Sequence, residues 1–149
     1  MKKICFVLTT PFAANAFLLG HLQALADRYD VALCLNRSAY PLSNRLDPRV
    51  RVIDISMARK VAPLADLRAL VRLIALFRAE RFDAVHSVTP KAGLLAMLAA
   101  FLTRVPYRFH TFTGQVWATK AGWGRAFFKN IDRCIVACAT RVFSDSKSQ

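Results

Sequence analysis

The residues best suited to chemistry gather in one stretch of an otherwise apolar chain, "FHTFTGQVWATKAGWG", Phe109 to Gly124. His110 closes a β-rich run, and Thr111, Thr113 and Gln115 follow it with groups that donate and accept hydrogen bonds, as a sugar's hydroxyls require. Trp117 and Trp123 add flat faces that stack on a pyranose ring or anchor at a membrane interface; a loop that tucks its aromatics beneath itself accounts for them equally. A second stretch, "HSVTPKAG", brings His86, Ser87, Thr89 and Lys91 to a helix start, where a lysine and free backbone N–H groups suit a phosphate or carboxylate. Capping by Thr89, with Pro90 at the first helical position, is the competing account there. In a third stretch, "TTPFAANAF", Asn15 is either a helix cap or a ligand contact.

These three stretches interrupt a regular alternation. Apolar, β-rich runs recur at 4–8, 31–35, 50–55, 82–86, 107–112 and 141–143, and helical spacing fills 16–28, 64–80, 92–103 and 124–140. The connection from Val31 to Val50 carries Pro41, Ser43, Asn44 and Pro48 and reads as a loop. Near-continuous apolar strands alternating with helices predict α/β architecture, a Rossmann-like parallel sheet with helices on both faces. Ligands of such sheets bind beyond the carboxyl ends of the strands, which selects the loops at 9–15, 87–93 and 111–123. Strand alternation sends Arg108 and His110 to one face of the fifth strand and Phe109 to the other.

The totals set bounds. A chain of 149 residues, 55% apolar with mean hydropathy +0.30, is one domain with a real core and is not disordered. Its longest apolar run, Leu94 to Leu102, falls well short of the roughly 18 to 20 residues that cross a bilayer. The opening "MKKICFVLTTPFAANAF" imitates a signal peptide, yet its apolar run breaks after five residues, and a strand with a turn explains it. Cys5, Cys34, Cys134 and Cys138 are too few for a disulfide framework and read as buried small hydrophobes in a reduced, cytoplasmic protein. Twenty-two Lys and Arg against nine Asp and Glu give net +13, which attracts polyanions such as nucleic acid, anionic lipid or phosphorylated ligands. In "PLADLRALVRLIALFRAERF" the apolar residues cover more than one helix face and Arg68 and Arg72 form a basic stripe, with Arg59 and Lys60 upstream. That is either a core helix with a solvated edge or a helix lying on a membrane surface.

The first loop lacks the glycines of a dinucleotide-binding turn, and Asp30 precedes the second strand instead of ending it, so a nicotinamide-linked enzyme fits poorly. The combination of "HSVTPKAGLLA", "PYRFHTFTGQVWATKAGWGR" and the closing "VFSDSKSQ" resembles the N-terminal half of family 4 glycosyltransferases that build bacterial surface polysaccharides. The resemblance runs from Lys3 to Gln149 and is most specific from His86 onward. It implies a GT-B fold of two Rossmann-like domains, the first holding the acceptor and the second a nucleotide-sugar donor. It implies a retaining transfer that needs no metal or other cofactor, and a lipid-linked saccharide as acceptor.

By the same resemblance His110 reaches the donor sugar, with Thr111 following it, and His86 and Lys91 face the acceptor; Asn15, Thr113, Gln115 and Trp117 are substrate-binding candidates on their own chemistry. Arg59, Lys60, Arg68 and Arg72 fall in the region that docks on an anionic membrane, which would place the protein at the inner face of the cytoplasmic membrane. Phe12, Ala13, Ala14 and Asn15 stand where relatives often carry a glycine pair, a departure that argues against a diphosphate contact there. The expectation is an acceptor-side domain, residues 1–149, without its nucleotide-sugar-binding partner domain and inactive alone. A basic nucleic-acid-binding α/β module and another Rossmann-type nucleotide-binding enzyme are the alternatives; no helix-turn-helix, RNP or zinc pattern supports specific nucleic-acid binding.

Overall fold

A computed structural model of the chain describes residues 2–9, 11, 14–39, 41–57, 62–112 and 122–144. Strand β1 (Lys3–Val7) leads through a π-helical turn (Ala14–Leu18) into α1 (Leu19–Ala26), and β2 (Asp30–Leu35) follows. After a single 3₁₀ turn (Arg37–Ala39) come β3 (Arg51–Asp54), α2 (Pro63–Glu80), β4 (Ala84–Ser87), α3 (Pro90–Leu102), β5 (Tyr107–Phe112), α4 (Gly122–Cys138) and β6 (Arg141–Ser144). All the expected strands and helices form, with ends displaced by up to three residues, the largest shift at the start of α1, where a π-helical turn takes the first positions. Prolines at the first helical positions of α2 and α3 explain why those helices begin there: the ring presets the helical φ and removes an N–H that would have had no partner.

The strands form one parallel sheet in the order β3-β2-β1-β4-β5-β6. The order reverses between β1 and β4, which defines a crevice at their carboxyl ends. Helices cover both faces, as expected. On one face Cys5, Val7, Cys34 and Val85 pack under Leu73 and Phe77 of α2, Ala96 and Met97 of α3, and Ile135 of α4. On the other, Phe6, Leu8, Leu33 and Leu35 pack under Leu22 and Ala26 of α1. The α3 sequence "PKAGLLAMLAAFL" is apolar all round, a pattern that demands burial, and the helix lies between α2 and α4 on the sheet. Cys5, Cys34 and Cys138 are buried, but Cys134 is exposed, because its side of α4 turns away from the core.

Candidate active site

The site is built where β1, β4 and β5 end. Thr9 follows β1 and Thr89 follows β4, and their hydroxyls meet at 2.8 Å across the crevice. The Thr9 N–H also donates to Thr89 Oγ1 at 3.2 Å. Thr89 does stand at the N-cap of α3 with an extended backbone, yet its side chain makes no cap hydrogen bond. The expected capping role is therefore corrected: the hydroxyl stitches β4 to β1 instead. With that crevice bridged, open hydrogen-bonding capacity shifts toward β5.

His110 is fully buried on the face covered by α3, as strand alternation requires. Arg108 shares that face, donating from Nε to the carbonyl of Cys138 in α4, while Phe109 lies against His86 on the other. The parallel register sets Ser87 beside His110, and Ser87 Oγ lies 2.7 Å from His110 Nδ1. Phe112 meets the imidazole edge-on with centroids 4.6 Å apart. The opposite side of the ring rests on α3 at Gly93. A Cβ there would stand 2.6 Å from Nδ1, closer than Cβ atoms approach other heavy atoms, so the ring would have to shift. His110 Nε2 is buried and finds no hydrogen-bond partner among the described residues. Leaving such a group unpaired costs about 1–3 kcal/mol, so it marks a place where stability has been given up. Burial, and secondarily His86, pulls the ring down from 6.5 to about 4, so the imidazole is neutral near pH 7.

His86 sits on the opposite face of the sheet. Its ring stacks on Phe6, with centroids 5.1 Å apart, and packs against Phe109 and Phe143. His86 Nε2 lies 2.8 Å from Thr111 Oγ1. Burial, then His21, lowers this histidine from 6.5 to about 4 as well. The two imidazoles and Thr111 therefore do not converge: Thr111, expected beside His110, serves His86 across the sheet.

Of the remaining candidates, some make contacts within the fold and others lie outside the described residues. Asn15 falls inside the π-helical turn, so it caps no helix; its amide donates to the Pro41 carbonyl at 2.8 Å and accepts from Ser43 N–H at 2.8 Å, pinning that loop to the turn. Lys91 pairs with Asp66 of α2 at 3.0 Å, which binds α3 to α2 and offsets the charge that was to meet a ligand. Asp30 is paired with Arg51. Trp123 is 93% exposed at the start of α4. Thr113, Gln115, Trp117, Arg59 and Lys60 lie outside the described residues. Buried thiols offer no nucleophile, since desolvation lifts Cys34 to about 12 and Cys5 in the same direction.

Sequence reasoning passed over Gly93, for which a signal existed. A glycine within an apolar helix gives up roughly 1 kcal/mol relative to alanine, which makes it a position to inspect for a close neighbour; Gly93 has one and Gly20 of α1 does not.

On α2, Arg68 and Arg72 are exposed, and so are Leu64, Leu67 and Val71, at 76%, 58% and 57%. The spacing 64, 67, 68, 71 places these leucines and the valine beside Arg68 on one side of the helix. An outer helix face that keeps apolar residues in solvent differs from an ordinary solvated edge.

Residues 13–149 match the glycosyl transferase 4-like domain. The chain belongs to that family. The glycosyltransferase CapM of capsular polysaccharide biosynthesis in Staphylococcus aureus is 36% identical over 94 residues, 63% of this chain and 25% of the relative. The UDP-Gal:alpha-D-GlcNAc-diphosphoundecaprenol alpha-1,3-galactosyltransferase of Escherichia coli is 30% identical over 118 residues, 78% of this chain and 30% of the relative. The chain thus spans less than a third of the length of these relatives. Among solved structures, a UDP-N-acetylglucosamine 2-epimerase from Rickettsia bellii superimposes with TM-score 0.74 at 13% identity, over 99% of this chain and 40% of that one. MurG of Acinetobacter baumannii gives 0.65 at 16%, over 99% of this chain and 43% of that one. At these identities the likeness speaks for fold alone, the Rossmann-like unit of GT-B enzymes.

Proposed function

We propose that this domain is the acceptor-side half of a retaining glycosyltransferase that passes a sugar from a nucleotide-sugar to a lipid-linked saccharide. The observation that carries the proposal is the 30% identity, over 78% of the chain, to a relative named for a diphosphoundecaprenol acceptor. The exposed Leu64, Leu67 and Val71 beside Arg68 and Arg72 suit the surface where such an acceptor is found, apolar below and cationic at the level of the lipid phosphates. A second, nucleotide-sugar-binding unit supplies the donor, and the first loop, free of glycine before Gly20, makes no claim on the diphosphate.

His110 contacts the transferred sugar in this reading. A group with a pKa near 4 is a weak base at pH 7, so its contribution is a neutral hydrogen bond from Nε2 and not proton abstraction. A buried neutral donor or acceptor of fixed direction discriminates between hydroxyl positions better than a solvated one.

The test is cosedimentation of the 149-residue chain with vesicles of phosphatidylcholine and phosphatidylglycerol. Each arginine near an anionic surface contributes about 1 kcal/mol, so Arg68→Glu with Arg72→Glu weakens binding at least about thirtyfold. Adding an undecaprenyl-diphosphate N-acetylglucosamine lipid strengthens retention further. Equal binding by the charge-reversed variant overturns the membrane surface, and indifference to the saccharide lipid overturns the acceptor assignment. Sugar transfer by this chain alone overturns its assignment as half of an enzyme.

A further inference from the structure

We propose that the amino edge of the sheet, which carries Lys2, Arg28, Arg81 and Arg104, is a binding surface for an anionic glycan, a chain whose sugar rings bear carboxylates. The choice of a glycan rests on the function proposed above; the cationic row itself does not.

Each of the four stands in the segment that leads into a strand: Arg28 before β2, Lys2 before β1, Arg81 before β4 and Arg104 before β5. Those strands are neighbours in that same order. Their lead-in segments are tied to one another. Asp30 N–H donates to the Lys2 carbonyl at 2.9 Å, Asp83 N–H to the Lys3 carbonyl at 2.8 Å and Tyr107 N–H to the Asp83 carbonyl at 3.2 Å. Strands about 4.8 Å apart therefore set the four cations along an edge of roughly 15 Å. Arg78, in the last turn of α2, adds a fifth. All five are exposed, and no ion pair or side-chain hydrogen bond engages them among the described residues. The acids of this edge answer to an inner row instead: Asp27 pairs with Arg49, Asp30 with Arg51, Glu80 with Lys3 and Arg51, and Asp83 accepts the Lys3 N–H.

Two of the five are kept against the preference of the backbone. Arg81 and Arg104 follow α2 and α3 with φ of 55° and 61°, the left-handed conformation that costs a residue with a Cβ and suits glycine. A cation at a helix C-terminus does gain from the helix dipole, but Arg78 has that gain from within the last turn, so the dipole does not call for arginine at the left-handed position. Four of the five are arginine, whose planar fork takes both oxygens of a carboxylate or phosphate. One small anion fills one fork; a row of them matches an anion that repeats along a chain. Tyr107, which opens β5, is 54% exposed and adds an aromatic face of the kind a pyranose ring stacks on. Nucleic acid would meet the same charges, but the family to which the chain belongs works on sugars.

The experiment is calorimetric titration of the full 149-residue chain with oligogalacturonate, a glycan with one carboxylate on every ring, at low and at physiological salt. The parent chain is expected to bind, and to bind more weakly as salt rises. Arg81→Gly combined with Arg104→Gly is expected to lower the affinity about tenfold. The same variant is expected to melt at the same temperature or higher, because glycine fits both backbone positions. Arg37→Gln combined with Arg133→Gln removes exposed charge elsewhere and is expected to leave the affinity within about twofold. No binding by the parent chain overturns the proposal. So does an equal loss in the two double variants, which would make the attraction one of net charge alone. A lowered melting temperature in the glycine variant overturns it as well, since the arginines would then be holding the fold. Single-stranded RNA of equal charge that binds more tightly, and displaces the glycan from the parent chain, overturns the glycan as partner. The vesicle experiments read α2 and the lipid acceptor, and these read the amino edge, so either reading fails without the other.

Discussion

The two ends of the sheet are built on opposite principles. At the amino end, charges are present and, in the inner row, paired: Arg51 bridges Asp30 and Glu80 at 3.2 Å each, Lys3 reaches Glu80 at 3.3 Å, and the Lys3 N–H donates to Asp83 at 2.8 Å. These contacts join β1, β2, β3 and the end of α2 into one clamp. At the carboxyl end of β1, β4 and β5 the strand-end groups Thr9, His86, Ser87, Thr89, His110 and Thr111 are neutral near pH 7, with the Lys91–Asp66 pair behind them at the head of α3. His86 pairs with Thr111 and Ser87 with His110 across strands, and His110 Nε2 has no partner among the described residues. Networked charge dominates the amino end, and neutral cross-strand pairs dominate the carboxyl end. An unfinished hydrogen-bond set, costly on its own, is kept at the end where a ligand can complete it.

Acid separates the two ends, and this is the largest effect we expect. His86 and His110 have folded values near 4 against 6.5 unfolded, so between these limits the unfolded chain binds more protons. Stability from the carboxyl end is therefore complete above about pH 6.5 and is lost as pH falls toward 4. The loss from pH 7 to pH 5 is about 2 kcal/mol for each histidine taken alone, less for the pair because each influences the other. Glu80 behaves in the other sense: Arg51, and then Lys3, hold its carboxyl below the ordinary value, so its contribution persists down to about pH 4.5 and fades below. Urea unfolding at pH 7 and pH 5 should show the drop, and His86→Gln should remove about half of it. A flat response from pH 7 to 5 would mean the two rings are not desolvated as described.

Next in size is the stitch at the crevice. In Thr89→Val the buried Thr9 loses partners for both its hydroxyl and its N–H, which costs about 1–2 kcal/mol. Thr9→Val, which keeps the N–H bond to Thr89 Oγ1, should cost less than half as much. Chemical denaturation of the two variants checks the order. Equal losses would mean that the hydroxyl pair, and not the backbone donor, holds β1 to β4.

How much of this was legible beforehand follows from the range of the interactions involved. Strands and helices were readable because the apolar periodicity of β1, β2 and α2 is a local property, and the face of His110 followed from alternation along a single strand. The pairings were not readable. That Thr111 serves His86 depends on the register between β4 and β5, and that Lys91 meets Asp66 depends on how α2 and α3 pack. Thr89 looked like a cap because Thr-Pro at a helix start is a local cap signal, whereas its hydroxyl answers to Thr9, eighty residues away. The cap reading of Asn15 failed for the same reason: both of its amide partners lie on the loop 41–43. Gly93 alone could have been recovered, as a glycine with no turn to make.

The smallest effect is expected at the amino end. Arg51→Met keeps the aliphatic stem and removes the fork between Asp30 and Glu80. The three side chains are 40%, 32% and 26% exposed, so water screens the pairs and the loss should stay below about 1 kcal/mol. It should shrink further in 1 M NaCl, where the parent chain loses the same attraction. Glu80, deprived of its main partner, should titrate closer to its ordinary value, so the variant's acid transition between pH 5 and 3 becomes shallower while the step between 7 and 5 is untouched. If Arg51→Met instead cost as much as Thr89→Val and resisted salt, the amino-end pairs would be effectively desolvated. The contrast between the two ends would then be one of charge only, and both would contribute to stability on equal terms.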